Sequence, residues 1–163
     1  MSTTSSGVPI RWSCEVDIHV GLAGSAPEGA EELLQEAVAT LSGLSGLRLS
    51  ATAGDENLIT VRYQPTLPEK ESSDAIGLGS STASSDGQII HGAVWLKTTS
   101  PQNAPGSPYA RQVLIHELMH ALGIKHAPAG STEIMAPAVS PGLPLEPGAY
   151  DIASLKTAGC PRR

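Results

Sequence analysis

At 163 residues the chain is sized for one domain with a real core, and that core must be aliphatic, since Phe is absent and the aromatic residues are Trp12, Trp95, Tyr63, Tyr109 and Tyr150. The formal charge of −6 provides no basic footprint for phosphates and argues against nucleic acid as a partner. No apolar run approaches the ~20 residues of a helical membrane span.

Residues 1–9 are polar and low in complexity, and are expected to form a flexible N-terminal segment ahead of one domain over 10–163. Residues 10–20 alternate, with Cys14, Val16, Ile18 and Val20 on one face, which predicts a strand. A loop over 21–26 leads into a helix. Ser25 and Glu28 match a capping box, Pro27 suits the first turn, and Leu33, Leu34, Ala37, Val38 and Leu41 recur at helical spacing. Gly43 and Gly46 mark its end. Strands are then predicted over 47–53 and 58–63 and, after a polar, proline-containing loop through Ser73, over 75–81 and 89–96. Ser84-Ser85-Asp86-Gly87 separates the last two as a turn. After a loop over 103–107, Ser107 and Pro108 occupy the favoured cap and first-turn positions of a second helix. An extended stretch over 141–147 precedes a short final helix over 150–157. No internal repeat and no second domain is indicated.

The second helix carries the most specific pattern. Residues 116–126 read His-Glu-Leu-Met-His-Ala-Leu-Gly-Ile-Lys-His and hold three of the five histidines of the chain. His116 and His120 are four residues apart, about one helical turn, so both imidazoles leave the same face and can share a tetrahedral metal. Glu117 is rotated by about 100° from His116, poorly placed as a ligand but able to hydrogen-bond a water held by the metal. Gly123 tolerates the left-handed backbone that ends a helix, and the turned chain can return His126 as a third ligand. Three protein ligands leave one position open, the arrangement of a catalytic zinc rather than a structural one.

This stretch fits H-E-x-x-H-x-x-G-x-x-H and resembles the zinc-binding signature of the metzincin peptidases. Ile134-Met135-Ala136-Pro137 resembles their Met-turn, in which a methionine, here Met135, forms a soft apolar floor beneath the metal. Pro137 stands two residues after the methionine, as in matrix-metalloprotease-like members, so the chain looks like the matrixin branch. The order of predicted elements also matches such domains. The resemblance implies an α+β fold: a twisted mixed sheet of about five strands with an antiparallel edge strand, a zinc helix, the Met-turn and a C-terminal helix. It implies a zinc endopeptidase holding one Zn2+ through His116, His120 and His126, with Glu117 as general base towards a metal-activated water. Ile76, Gly77, Leu78 and Gly79 fall where the family has its edge strand above the cleft, and an edge strand can hold an extended peptide by strand addition. By the same resemblance Val113, Pro137 and Val139 border a substrate pocket. The expected partner is a protein or peptide substrate of a monomeric, secreted enzyme. Because the opening residues lack a charged start and an apolar signal core, a signal and pro-segment are absent from this chain or export takes another route. Rival functions are a silent zinc-containing peptide-binding module and a narrow-specificity effector or toxin peptidase.

Several residues depart from the matrixin pattern. Ala127 stands where serine is typical, Met119 where glycine is, and Val139 where tyrosine is. His91 and His19 lack an obvious aspartate partner and are expected to be ordinary strand residues rather than ligands of a second zinc. The acidic stretch 69–74 and Asp86 make calcium possible, but they show no recognised ligand spacing. Asp151, in the last helix, is positioned to brace the Met-turn by hydrogen bonding. Cys14 and Cys160, an even pair in a secreted hydrolase, point to one disulfide. The alternative is that Cys160 acts as an inhibitory thiolate on the metal.

Overall fold

The computed structural model describes residues 1–5, 7–53, 57–68, 74–137 and 144–161. In chain order the elements are β1 (Ile18–Leu22), α1 (Ala30–Ser45), β2 (Leu49–Ala51), β3 (Ile59–Gln64), β4 (Gly77–Ala83), β5 (Ile89–Lys97), α2 (Ala110–Ala121) and α3 (Ala149–Ala158), with a short 3-10 turn at Pro101–Asn103 before α2. The five strands form one mixed sheet in the order β2-β1-β3-β5-β4. The β1–β2, β1–β3 and β3–β5 pairs are parallel, and β4 pairs antiparallel with β5 at the edge. The protein is thus a mixed α/β domain, and its antiparallel edge strand is the one the resemblance implied. The β4–β5 connection can be short because Gly87 takes φ 85°.

One face of the sheet buries Ile18 and Val20, Ile59 and Val61, and Val94 and Leu96, the alternate positions of β1, β3 and β5. Against these pack Leu33, Leu34, Ala37, Val38 and Leu41 of α1, the predicted helical stripe. Glu31 and Glu32 favour its N-terminal dipole, and Gly46 at φ 73° returns an N–H to Ser42 O at 3.1 Å to close its end. Helix α2 differs. Ten of its 12 residues are buried, so it runs through the core and shows no amphipathic stripe.

Several boundaries depart from expectation: β2 covers only Leu49–Ala51 of the expected 47–53, and β4 runs Gly77–Ala83 rather than 75–81. Strand β1 begins only at Ile18, because the preceding residues are held elsewhere. Trp12 is buried and donates Nε1–H to Ala121 O at 3.1 Å, while Val16 points to solvent. Helix α1 starts at Ala30, so Ser25 and Glu28 form no capping box; Gly29 at φ 82° instead turns the chain into the helix. Ser107 lies three residues before α2 rather than at its cap, its Oγ accepting the Tyr109 N–H at 3.2 Å. At the start of the chain, Ser2 donates N–H to Gly123 O and Ile10 to Ser2 O, each at 2.9 Å.

Cys14 and Cys160 form a disulfide with a sequence separation of 146. Both sulfurs are thereby consumed, which removes the alternative of Cys160 as an inhibitory thiolate. On the chain-entropy model a loop this long stabilises the fold by about 5 kcal/mol. The bond tacks the segment before β1 to the end of α3, where Cys160 N–H also donates to Ser45 O at 2.9 Å. Among the described residues no helix is long and apolar enough to cross a membrane.

Candidate metal centre

His116 and His120 project from the same face of α2. The helix then ends through the Gly123 N–H on His120 O at 2.9 Å and the Ile124 N–H on Met119 O at 3.0 Å. Gly123 adopts φ 84°, and a Cβ there would approach Ile10 O to 3.0 Å, so both conformation and space require glycine. Beyond it the chain doubles back and brings His126 to the other two rings. The three Nε2 atoms lie 3.1–3.2 Å apart.

Two of the rings are oriented by backbone carbonyls. His116 Nδ1 lies 2.7 Å from Ile134 O and His120 Nδ1 lies 2.8 Å from Ile124 O. A carbonyl can only accept, so each Nδ1 carries the proton and each Nε2 presents a lone pair. These lone pairs face one another without a proton to join them, an arrangement relieved by a cation between them. Zinc–nitrogen bonds of about 2.0–2.1 Å at tetrahedral angles set ligand nitrogens about 3.3–3.4 Å apart, near the separations found here. Burial pushes the His116 pKa down to about 4, with the neighbouring rings adding to the shift and the Ile134 carbonyl opposing it. Burial lowers that of His120 as well. Both rings are therefore neutral at pH 7, the form that binds metal. Among the described residues, His116, His120 and His126 are the one cluster of three or more groups close enough to hold an ion.

The support beneath the histidines comes from the segment around Met135 and from α3. Asp151 is fully buried in the first turn of α3. Its carboxylate accepts the Ile134 N–H at 2.8 Å, the Met135 N–H at 3.1 Å and the Gly148 N–H at 3.1 Å. Ile134 O in turn holds His116, and Met135 O accepts the N–H of Ala127, the residue after His126, at 2.7 Å. Asp151 thus hydrogen-bonds the segment around Met135, as the sequence reading anticipated, and through that segment braces two of the three histidines, which that reading did not. Met135 is itself fully buried, as is Met119.

Glu117 is also buried, on the side of α2 that meets β4. A Cβ at Gly77 would fall 2.6 Å from Glu117 Oε1, and one at Gly79 would fall 2.0 Å from Glu117 O and 2.7 Å from His120 Cβ. The glycines of the edge strand are therefore what allow β4 to lie directly on the histidine helix. Nothing in the alternation of residues 75–81 signals this, because a strand period does not record which helix will press on it. Ile76 precedes β4 and is tied down through its carbonyl, which accepts from Lys97 N–H at 3.0 Å and Asn103 Nδ2 at 2.6 Å. Leu78 is half-buried in the edge strand, Val113 is fully buried one turn before His116, and Pro137 is exposed. Val139 and the acidic stretch 69–73 lie outside the described residues.

The other two histidines are apart from this cluster. His19 Nδ1 meets Ser50 Oγ at 3.0 Å across β1 and β2, and His91 lies opposite Thr82 in the β4–β5 ladder. Asp86 serves its turn, accepting from Ser84 Oγ and from Gln88 N–H, and these bonds hold its carboxyl below the usual range. A cleft of about 600 Å³ opens beside the centre, bounded by Ser80, Ser81, His120, Lys125 and His126. The chain matches no protein-family model and no curated protein.

Proposed function

We propose that this protein is a secreted, zinc-dependent endopeptidase resembling the matrixin branch of the metzincins. The observation that carries the proposal is the convergence of three Nε2 atoms at 3.1–3.2 Å, with the buried carboxylate of Glu117 on the helix that carries two of them. His116, His120 and His126 would hold the ion; their donor set and spacing, and the tautomers of His116 and His120, fit zinc. Bound there, zinc supplies Lewis acidity, polarising a peptide carbonyl and letting water ionise near neutral pH.

The chain's own residues supply the rest. Glu117 accepts a proton from the attacking water and passes it to the departing amine nitrogen, acting first as base and then as acid. Its position against Gly77 keeps it beside the edge strand, where the free side of β4 can take an extended peptide as one more strand. The Ile134 and Ile124 carbonyls hold His116 and His120 in the ligating tautomer. The disulfide suits an oxidising compartment such as the extracellular space.

The test is cleavage of a complex peptide library read by mass spectrometry, with chelator and Glu117→Ala controls and elemental analysis alongside. The expected result is about one zinc per chain, lost when any of the three histidines becomes alanine. Glu117→Ala should retain zinc and lose at least ~10²–10⁴-fold in rate. Near-wild-type cleavage by zinc-loaded Glu117→Ala protein refutes the mechanism. Peptide binding by the wild type with no cleavage would make the protein a binding module.

A further inference from the structure

The cleft beside the histidines has an electrostatic character that the whole chain does not. The chain carries −6 overall, yet among the described residues none that bounds this cleft is acidic, and Lys125 is the one charged side chain there. Two other cations of the fold are paired: Arg48 Nε lies 3.0 Å from Asp17 Oδ1, and Arg111 Nη1 lies 2.6 Å from Glu146 Oε1. Lys125 is exposed at the cleft and its backbone is fixed from both sides. Ile124 O is held by His120, and Ala127 N–H donates to Met135 O. Lys125 therefore stands on a fixed turn next to two of the histidine rings, and Ser80 and Ser81 of the edge strand border the same cleft.

We infer that Lys125 makes this half of the cleft select acidic residues, so that peptides carrying Glu or Asp on the side of the cut bond lying over Ser80, Ser81 and Lys125 are the preferred substrates. The inference rests on the peptidase reading above and names its substrate class. An extended peptide added along β4 would pass between the two serines and Lys125. There a carboxylate can pair with the ammonium and accept from a hydroxyl, whereas a lysine or arginine would meet a like charge.

The experiment compares peptides differing only by Glu or Gln at each position around one cut site, on wild type, Lys125→Met and Lys125→Glu protein. Zinc content at the wild-type value serves as the check that the variants are folded. A solvent-exposed pair of this kind gives about a two- to fivefold preference for Glu over Gln. That preference is expected at one subsite only. It should vanish in Lys125→Met, invert in Lys125→Glu, and shrink towards one as ionic strength rises from about 0.05 to 0.5 M. A wild-type ratio of one at every position, or a ratio that Lys125→Glu leaves unmoved, overturns the inference. The same ratios are read as binding constants on zinc-loaded Glu117→Gln protein. A wild type that cuts nothing would refute the peptidase reading, while the charge preference would still stand or fall by these binding constants.

Discussion

Replacing Gly79 with alanine adds one methyl group at the closest approach between the edge strand and the histidine helix. Its Cβ would stand 2.0 Å from the Glu117 carbonyl oxygen and 2.7 Å from His120 Cβ. Both obstacles belong to the rigid part of α2, so no side-chain rotation relieves them. Strand and helix would have to part by about 1.4 Å to restore ordinary contact. Overpacking of this kind costs roughly 1–3 kcal/mol. At about 2–4 °C per kcal/mol for a domain of this size, the melting temperature should fall by roughly 2–12 °C. Zinc should suffer in parallel, because a ligand set tolerates only about 0.2 Å of misplacement and His120 rides on the displaced turn. The matched comparison is Gly77→Ala, whose Cβ meets the Glu117 carboxylate, the movable end of a side chain. It should spare the melting temperature and zinc content yet reduce cleavage. Thermal melts and competition with a zinc chelator separate the two. A Gly79→Ala protein with wild-type melting temperature and zinc affinity would refute the claim that glycine here sets the approach of β4 to α2.

Asp151→Asn keeps the shape of the brace but turns one acceptor into a donor facing a backbone N–H, so a loss of ~1–3 kcal/mol in stability and a 10–100-fold drop in zinc affinity are expected. A variant with unchanged chelator competition would show that the brace does not act on the ligands. In the metal-free protein, unfolded His116 takes up its proton near pH 6.5, whereas the folded ring resists until about 4. The unfolded chain therefore binds more protons in that window, so stability is complete above pH 6.5 and falls by up to ~3 kcal/mol as pH drops towards 4. A urea midpoint that does not change between pH 7.5 and 5 in the presence of chelator would contradict this. Burial pushes Tyr63 up to about 12, and its buried hydroxyl has no partner among the described residues. Stability should hold below pH 10 and decline from 10 to 12 as the unfolded phenol ionises. Tyr63→Phe should remove that decline and gain ~1 kcal/mol at neutral pH, measured by urea titration.

Much of the site is written locally. Four-residue spacing puts His116 and His120 on one face of any helix containing them, and Gly123 permits the turn that returns His126, so the histidine cluster was legible without coordinates. The apolar period of α1 was legible for the same reason, since a 3.6-residue repeat is a property of contiguous chain, and the strands expected over 58–63 and 89–96 fall on β3 and β5. The even pair of cysteines already favoured a disulfide over a thiolate at Cys160, but its closure was not a local property. It depended on two segments 146 residues apart meeting at one edge of the fold. Residues 10–17 alternate like a strand, yet Trp12 and Cys14 are drawn to the end of α2 and to α3, and those distant contacts outweigh the local pattern. What the amino-acid sequence determined by itself is the donor set and the backbone turns that gather it, because both depend on neighbours within a few residues. Tertiary structure alone decided the carbonyls that select the ring tautomers, the carboxylate that braces them and the glycine contact that seats β4, because each depends on where elements far apart in sequence come to rest in space.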